Sequence, residues 1–517
     1  MTQNRRIFWN VVATYGRSLY ALACGLFTAR WVLMTLGEVN YGLMGVVGCL
    51  TGFIAFINSL MSGSISRYYA YSVGRLEKTD DREAALDDCR RWFNVAVGLH
   101  TVVPVLLLMI GYPIGEWAVR NYLTIPQDRI IPCVWVFRFS CLSCFVSMIS
   151  CPYGAMYGAK QEIAELTVYG FVTTTLNVVF LCFMVSHPYD WMVPLSAWGC
   201  FLSVAPTLII IVRSFYKYSE VKIIPRYLWD WHRLKQLMTF AGSRCLVSFA
   251  FLLNSNGIAV LVNKMLGPSK NAAMNIGNNV ASHGTTLSQS VIGAFIPAVT
   301  NAAGAKDFNL MRQLSIRACK FCSVALLIFA LPLFLEVDEV MRIWLKNPPE
   351  QVSAICICLL LVQVCDMISN GIWLAINAMG KIGRFCIVES VIWFTVMPLS
   401  WFLIKCGMGL VGVGIAFVLS KFLAIAVKLY YGRILAGISA RFWVRRVFVP
   451  VLISSALALL SGLASVMTLD PSFTRIVVTT LVVEVVFLPL CWLLLCESGE
   501  REYIAEKVRA AIAKIRR

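Results

Sequence analysis

The sequence predicts an all-α, polytopic membrane protein with about 14 transmembrane helices. Three observations predict it. First, 59% of the 517 residues are hydrophobic and only 14% are charged, whereas about a quarter of the residues in a soluble chain are charged. Second, apolar runs long enough to span a bilayer core recur from end to end. Third, Lys and Arg concentrate in every second segment between these runs, as expected of loops that alternate across a membrane.

Each apolar run is assigned one helix, bounded by charged or turn-forming residues. The runs 95–115, 168–186, 447–467 and 476–496 are almost unbroken Val, Leu, Ile and Phe, which is typical of membrane spans. The other runs are interrupted by polar residues. The predicted spans, in chain order, are 8–35, 41–73, 92–117, 130–158, 165–186, 192–214, 236–265, 271–302, 318–345, 352–379, 385–405, 410–436, 446–468 and 475–496.

The basic residues predict the orientation of these spans. Most of the 45 Lys and Arg residues lie in alternate segments, namely the N-terminus, 75–91, Lys160, 213–235, 306–320, 381–384, 428–446 and the C-terminal tail. The positive-inside rule places these segments, and both termini, in the cytoplasm. The formal charge of +18 then lies mainly beside anionic lipid, and no soluble domain remains to recognise nucleic acid. The tail 499–517 is predicted to form a basic amphipathic helix on the inner leaflet.

The chain echoes itself at an offset of 230 residues. The first predicted helix ends in Met-Thr-Leu-Gly at residues 34–37, and the seventh in Lys-Met-Leu-Gly at 264–267. In both, a glycine suits the left-handed residue that closes a helix. Six helices per half predict two lobes of the same topology. The predicted domains are therefore 1–235 and 236–440, followed by two helices and a cytoplasmic tail in 441–517. Chance similarity between apolar sequences remains the alternative.

Several predicted helices are too polar to face lipid on all sides. Asn and Ser side chains recur along 58–66, 254–256 and 271–290. A few such residues bond packed helices together, but a dense series favours a hydrated central cavity. The candidate substrate-binding amides are Asn58, Asn254, Asn256, Asn275 and Asn279.

Arginines inside the predicted spans are candidate anion ligands. A charge at the centre of a bilayer costs at least ~2.5–3.5 kcal/mol, so it usually marks a water-filled path. Arg17, Arg30, Arg138 and Arg244 are the candidate substrate-binding cations. The rigid guanidinium fork suits phosphate. The alternative is structural ion pairing with Asp366, Glu389 or Glu484.

Two further groups of polar residues lie in the second half. Asp366 and Asn370 interrupt the tenth predicted helix, and they belong either to the cavity or to a site for a coupling ion. Lys421 and Glu389 occupy similar depths on their helices, which predicts a structural ion pair. No catalytic grouping, metal site or cofactor motif is found, so the chain is not expected to be an enzyme. Coupling to Na⁺ or H⁺ stays open.

Five short segments of the sequence resemble those of a known family. They are TARWVLMTLG at 28–37, YG at 41–42, SGSISRYY at 62–69, LGPSKNAA at 266–273 and AMGK at 378–381. They resemble the bacterial oligosaccharide flippases of O-antigen and lipopolysaccharide assembly, over roughly residues 8–435. The resemblance implies the multidrug/oligosaccharidyl-lipid/polysaccharide exporter superfamily, with two six-helix lobes around a central cavity, alternating access and, in members with 14 helices, two added at the C-terminus.

The residues and the resemblance together predict a flippase. Its substrate would be an undecaprenyl-pyrophosphate-linked oligosaccharide, carried from the cytoplasmic to the outer leaflet of the bacterial inner membrane. Membrane lipids, and other polysaccharide-assembly proteins, are the further expected partners. One alternative is a cation-coupled multidrug exporter, which should carry acidic rather than basic cavity residues. Another is a membrane enzyme, a polysaccharide polymerase or acyltransferase, although no large external loop supports it.

Overall fold

The protein is all-helical, as the sequence predicts. A computed structural model describes residues 3–76, 81–160, 162–380, 382–496 and 501. Within these ranges the chain forms fourteen long helices. The first two, α1 (3–36) and α2 (38–76), are halves of the helical stretch Gln3–Leu76. The others are α3 Arg82–Trp117, α4 Ile130–Ala159, α5 Ile163–Ser186, α6 Met192–Lys217, α7 Trp231–Leu252 with its continuation to Leu266, α8 Pro268–Gly304, α9 Phe308–Leu345, α10 Val352–Ala378, α11 Gly383–Leu403, α12 Gly409–Ala436, α13 Ala440–Trp443 with its continuation to Thr468, and α14 Phe473–Leu494.

The protein is multi-pass. Eleven stretches of described residues are long and apolar enough to cross a membrane, and one of them, Gly383–Ala436, contains both α11 and α12. The polar helix α8 is not among these stretches as a whole. The predicted amphipathic tail 499–517 lies outside the described residues except for Arg501.

Two glycines separate consecutive helices at the predicted positions. Gly37 (φ 76°) breaks α1 from α2, and Gly267 (φ 86°) ends α7 just before α8. Positive φ is readily adopted by glycine because it has no Cβ. Both glycines adopt the positive φ that the sequence predicts, but their ψ values of 164° and 176° are extended, so neither forms the expected αL closure.

The chain forms two compact units, Met1–Asn275 and Ile276–Arg517, so α8 begins in the first and continues in the second. The lobe and tail boundaries at 235 and 440 stay predictions. In the second unit α13 and α14 pack onto α9. Val451, Val483 and Phe487 join its hydrophobic core, and Arg475 donates to the buried carboxylate of Glu336 at 2.8 Å. The C-terminal helices are thus part of the second unit's core.

In the first unit, α2 packs closely against α7 and the start of α8 through glycines. A Cβ at Gly42 would clash with the backbone carbonyl of Pro268. One at Gly45 or Gly52 would clash with an asparagine side chain. Small residues permit such close approach between membrane helices. This contact determines where two of the predicted site residues lie.

Candidate substrate site

Arg17 is the most available of the predicted cations. It lies on α1, is exposed, and extends across Gly170 of α5, where an added Cβ would clash with the guanidinium. One turn later the Tyr20 hydroxyl lies 2.9 Å from that of Thr175, which fixes α1 against α5. Among the described residues Arg17 has no carboxylate within ion-pair distance. Within that part of the chain, no acidic side chain neutralises its charge.

Arg138 on α4 is held more firmly but remains partly exposed. Its Nε donates to the Tyr112 hydroxyl at 3.0 Å, and its guanidinium lies 5.0 Å from the centre of the Trp135 ring. A terminal nitrogen lies 3.6 Å from Glu116, and 39% of the side chain is exposed. Glu116 also accepts a hydrogen bond from Arg120 at 2.7 Å. Because Glu116 already has this partner, Arg138 is not fully neutralised.

The partner of Arg138 is none of the three carboxylates considered for structural pairing. Glu116 lies 22 positions earlier, on α3, near the end of an apolar run. Tyr112 and Glu116 are four residues apart and therefore share one helix face. That spacing was the available signal. Beside them lies an apolar cavity of about 450 Å³, lined by Leu108, Met109, Tyr112, Pro113, Cys141, Leu142 and Phe145.

The other two arginines contribute less to a description of the site. Arg30 is half-buried on α1, close to the break at Gly37. The side chain of Arg244 on α7 lies outside the described residues. The joint role of the four arginines around one anion therefore stays a prediction.

The asparagines of the first unit lie mainly between helices. Asn256 packs against Gly52 and Asn275 against Gly45, both on α2. The Asn254 amide donates to the carbonyl of Ala250 at 2.9 Å. The side-chain oxygen of Asn58, also on α2, is buried and accepts no hydrogen bond from the described residues. Two of the five predicted amides thus line one helix contact, and Asn58 retains an unused acceptor.

The clearest polar surface is one side of α8 in the second unit. Asn278, Ser282, Gln289 and Thr300 are exposed and follow a helical period, while Asn279 is half-buried beside them. On the opposite side Ser288 is fully buried and donates to the carbonyl of Cys322 at 2.9 Å. An exposed polar stripe on a membrane helix needs water or polar partners. The residues of this stripe, rather than Asn275, are the exposed polar groups.

Asp366, whose side chain is 29% exposed, forms an ion cluster with two lysines. One of its carboxylate oxygens accepts hydrogen bonds from Lys421 and Lys428 of α12, each at 2.9 Å. Both lysines are buried, and Lys428 also lies 3.3 Å from the Ser369 hydroxyl. Asn370, one position further along α10, is half-buried, and its amide lies 3.8 Å from the sulfur of Met367.

This cluster corrects one expectation. Lys421 pairs with Asp366 rather than with Glu389. Lys428, which the sequence pattern counted among the cytoplasmic basic residues at the end of the same predicted helix, is 4% exposed within α12. The spacing of seven residues between the two lysines, which places both on one helix face, was the signal for their shared partner. A buried pair needs excellent geometry because both charges lose water. Two ammonium groups therefore satisfy the carboxylate that was considered for a coupling ion.

Comparisons with known proteins identify the fold. No family model and no curated protein sequence matches the chain. Among solved structures, a lipid II flippase MurJ in an inward closed conformation aligns with TM-score 0.68 and 13% identity, over 93% of this chain and 98% of that one. An inward-facing MATE multidrug resistance transporter of the MOP superfamily aligns with TM-score 0.62 and 13% identity, over 81% and 94%.

A third solved structure shares the fold. It is a MOP superfamily transporter from Pyrococcus furiosus that is described as having a binding pocket of reversed polarity. It aligns with TM-score 0.51 and 15% identity over 84% of this chain and 94% of that one. Identities of 13–15% establish common architecture and no more. The chain therefore has the fold of the MOP superfamily transporters.

Proposed function

We propose that this protein is a flippase for an undecaprenyl-pyrophosphate-linked oligosaccharide in bacterial polysaccharide or lipopolysaccharide assembly. The observation that carries the proposal is the contrast between cations. Arg17 and Arg138 lie inside membrane helices yet remain exposed or partly exposed, whereas Lys421 and Lys428 are buried and share Asp366 as their partner. Cations kept available within a membrane helix are suited to an anionic substrate. The similar fold of a lipid II flippase supports a substrate that is linked to a lipid.

The proposed mechanism assigns separate roles to the polar groups. The guanidinium groups of Arg17, Arg138 and Arg244, with Arg30, bind the pyrophosphate through paired N–H donors. The exposed amides and hydroxyls of α8, with Asn58, Asn279 and their neighbours, face the sugars. The lipid tail stays in the bilayer. Substrate binding favours closure through its different affinity for inward and outward states, with both termini remaining in the cytoplasm of a bacterial cell.

A cation-coupled multidrug exporter is the second candidate, because MATE transporters share the fold. It requires an acidic group that accepts organic cations or coupling ions. Asp366 and Asn370 are the candidates, but the Asp366 carboxylate already accepts two ammonium groups. A role in ion coupling would require Lys421 or Lys428 to break its hydrogen bond with Asp366. A membrane enzyme of polysaccharide assembly has no observation in its favour in the described part of the chain.

A transport assay separates the candidates. We expect Arg17→Ala, Arg138→Ala and Arg244→Ala each to lower delivery of the lipid-linked sugar to the outer leaflet by about tenfold or more, the worth of a hydrogen bond to a charged group. Lys at these positions should restore part of the activity. The matched control is Arg342→Ala, which removes an exposed arginine paired with Glu339. Values are normalised to folded protein in the membrane.

The same assay also tests the multidrug-exporter hypothesis. Normal delivery in all three arginine variants would falsify the pyrophosphate role. Loss of drug efflux in Asp366→Asn, with the arginine variants unaffected, would favour the exporter.

A labelling experiment tests whether the α8 stripe contacts water. In a background without the exposed cysteines Cys182 and Cys406, Ser282→Cys should react rapidly with a membrane-impermeant maleimide. Ser288→Cys, six residues away, should not, because Ser288 is fully buried. A lipid-linked sugar analogue should protect Ser282→Cys. Equal reaction at the two positions, or none at either, contradicts a hydrated substrate face.

A further inference from the structure

Glu484 is a carboxyl group in the middle of a membrane helix. It lies midway along α14, one of the stretches long and apolar enough to cross a membrane. Both of its side-chain oxygens are buried, and neither accepts a hydrogen bond from the described residues. Within the same part of the chain no cation lies close enough to influence its charge. The structural ion pair considered for Glu484 is therefore not found there.

The helices packed against α14 provide no charge at this level. The facing stretch of α13, residues 449–468, contains no charged residue. In α9 the stretch 321–335 contains none, and the next residue, Glu336, is already paired with Arg475. On α14 itself the titratable neighbour is the thiol of Cys491, seven residues further along the helix. The surroundings of Glu484 are thus apolar or neutral.

A carboxyl group in such surroundings is stable only as the neutral acid. Ionisation would leave an unpaired charge in an apolar interior, where neither water nor a donor compensates for it. The neutral acid needs only neutral hydrogen-bonding groups, and the Ser455 hydroxyl of α13 is likewise buried without a partner among the described residues. Loss of the proton therefore requires water to reach Glu484, and so requires α13 and α14 to separate.

We propose that Glu484 is a proton-binding site within the membrane, which holds its proton while α13 and α14 are packed together and releases it to water when they separate. The ligand is a single proton on a carboxyl oxygen. Because the packed and separated states differ in proton affinity, pH shifts the equilibrium between them. The inference goes beyond the proposed transport function and does not depend on the transported substrate, since the site is formed by the two C-terminal helices.

Infrared spectroscopy of the purified full chain tests for the bound proton. At neutral pH, the difference spectrum between wild type and Glu484→Gln should contain the carbonyl stretch of one neutral carboxylic acid, and this band should shift in D₂O. The matched control is Glu336→Gln. Glu336 is 1% exposed but accepts hydrogen bonds from Arg475 and Thr479, each at 2.8 Å, so its difference spectrum should contain carboxylate bands only.

Carboxylate bands in the Glu484 difference spectrum would overturn the proposal. If the Gln variant does not fold, Glu484→Asp keeps the acid, shifts its band and supplies the same difference spectrum.

Hydrogen exchange tests the link between the proton and helix packing. Wild type and Glu484→Gln are compared at the same pH, from about pH 5 to 9, a range that covers free and buried glutamate. Relative to the variant, exchange of the α13 segment 449–468 in wild type should rise by up to about tenfold per pH unit, the effect of releasing one proton on opening. The α10 segment 352–378 is the internal control and should not differ between the two proteins. A ratio that stays constant with pH in α13, or that changes equally in α10, would overturn the link.

Discussion

Cationic side chains inside the membrane helices have different environments in the two units. In the first, Arg17 is exposed without a carboxylate partner among the described residues, and Arg138 shares Glu116 with Arg120. In the second, Lys421 and Lys428 are buried and both contact one oxygen of Asp366. The comparison teaches that a charged residue within a membrane helix does not by itself identify a substrate-binding site. Exposure and unsatisfied donors distinguish a cation available to a ligand from one that holds helices together.

The largest expected effect is at the ion cluster of Asp366. Asp366→Asn leaves two ammonium groups buried without their carboxylate, which should lower the free energy of unfolding by about 3–5 kcal/mol. Denaturant unfolding in detergent measures it. Asp338→Asn is the control, because Asp338 is exposed on α9, and a surface change of this kind should stay within about 0.5 kcal/mol. If Asp366→Asn kept wild-type stability but changed the ion dependence of transport, Asp366 would have a role in ion coupling rather than a structural role.

A smaller effect on stability is expected at Arg138. Its side chain is 39% exposed, so solvent screens the interaction with Glu116, and Arg138→Ala should lower the free energy of unfolding much less than Asp366→Asn does. Arg342→Ala, which removes another exposed arginine with a carboxylate partner, should cost a similar amount. The same unfolding measurement applies. Destabilisation as large as that of Asp366→Asn would make Arg138 a structural residue and weaken the proposed binding role.

The smallest effect on stability is expected at Glu162, which lies outside the predicted membrane spans. Burial raises the pKa of Glu162, but hydrogen bonds from Lys217 and Tyr218 outweigh it, so the pKa of Glu162 is lowered overall. The contacts are 2.5 Å to Lys217 and 2.6 Å to the Tyr218 hydroxyl. Glu162→Gln should lower the free energy of unfolding by about 0.5–1 kcal/mol at neutral pH.

The sign of its pH dependence follows from the lowered pKa. The stabilisation by Glu162 is fully present above the unfolded-state pKa of about 4.3 and is lost as pH falls through the lower folded-state pKa. Unfolding curves of wild type and Glu162→Gln should therefore differ at pH 7 and converge in acid. A difference that grows in acid would mean that Glu162 is not stabilised as the anion.

Much of the fold follows from the sequence because it depends on local properties. An apolar run of about 20 residues, a glycine at a helix end and a basic loop each act over a few neighbouring positions. The breaks at Gly37 and Gly267 were therefore predictable. The extent of α8 was predictable too, although its polar residues reduce the membrane signal.

The candidate site was less predictable, because its chemistry depends on long-range contacts. The sequence correctly singled out Asp366 and Lys421 as unusual intramembrane charges, yet paired Lys421 with Glu389. The actual partners are separated by 55 and 62 positions, for Lys421 and Lys428 respectively. Likewise, Asn275 and Asn278 look alike in sequence, but helix packing places one against Gly45 and leaves the other exposed.

By itself the sequence determined an all-helical, multi-pass chain and a surplus of intramembrane cations, since these are properties of composition and spacing. Only the tertiary structure decided which charges are buried, which residues they pair with and which polar face of α8 is exposed. The physical reason is that desolvation and pairing depend on what lies within a few ångströms in space. For Arg138 and Asp366 those neighbours come from other helices.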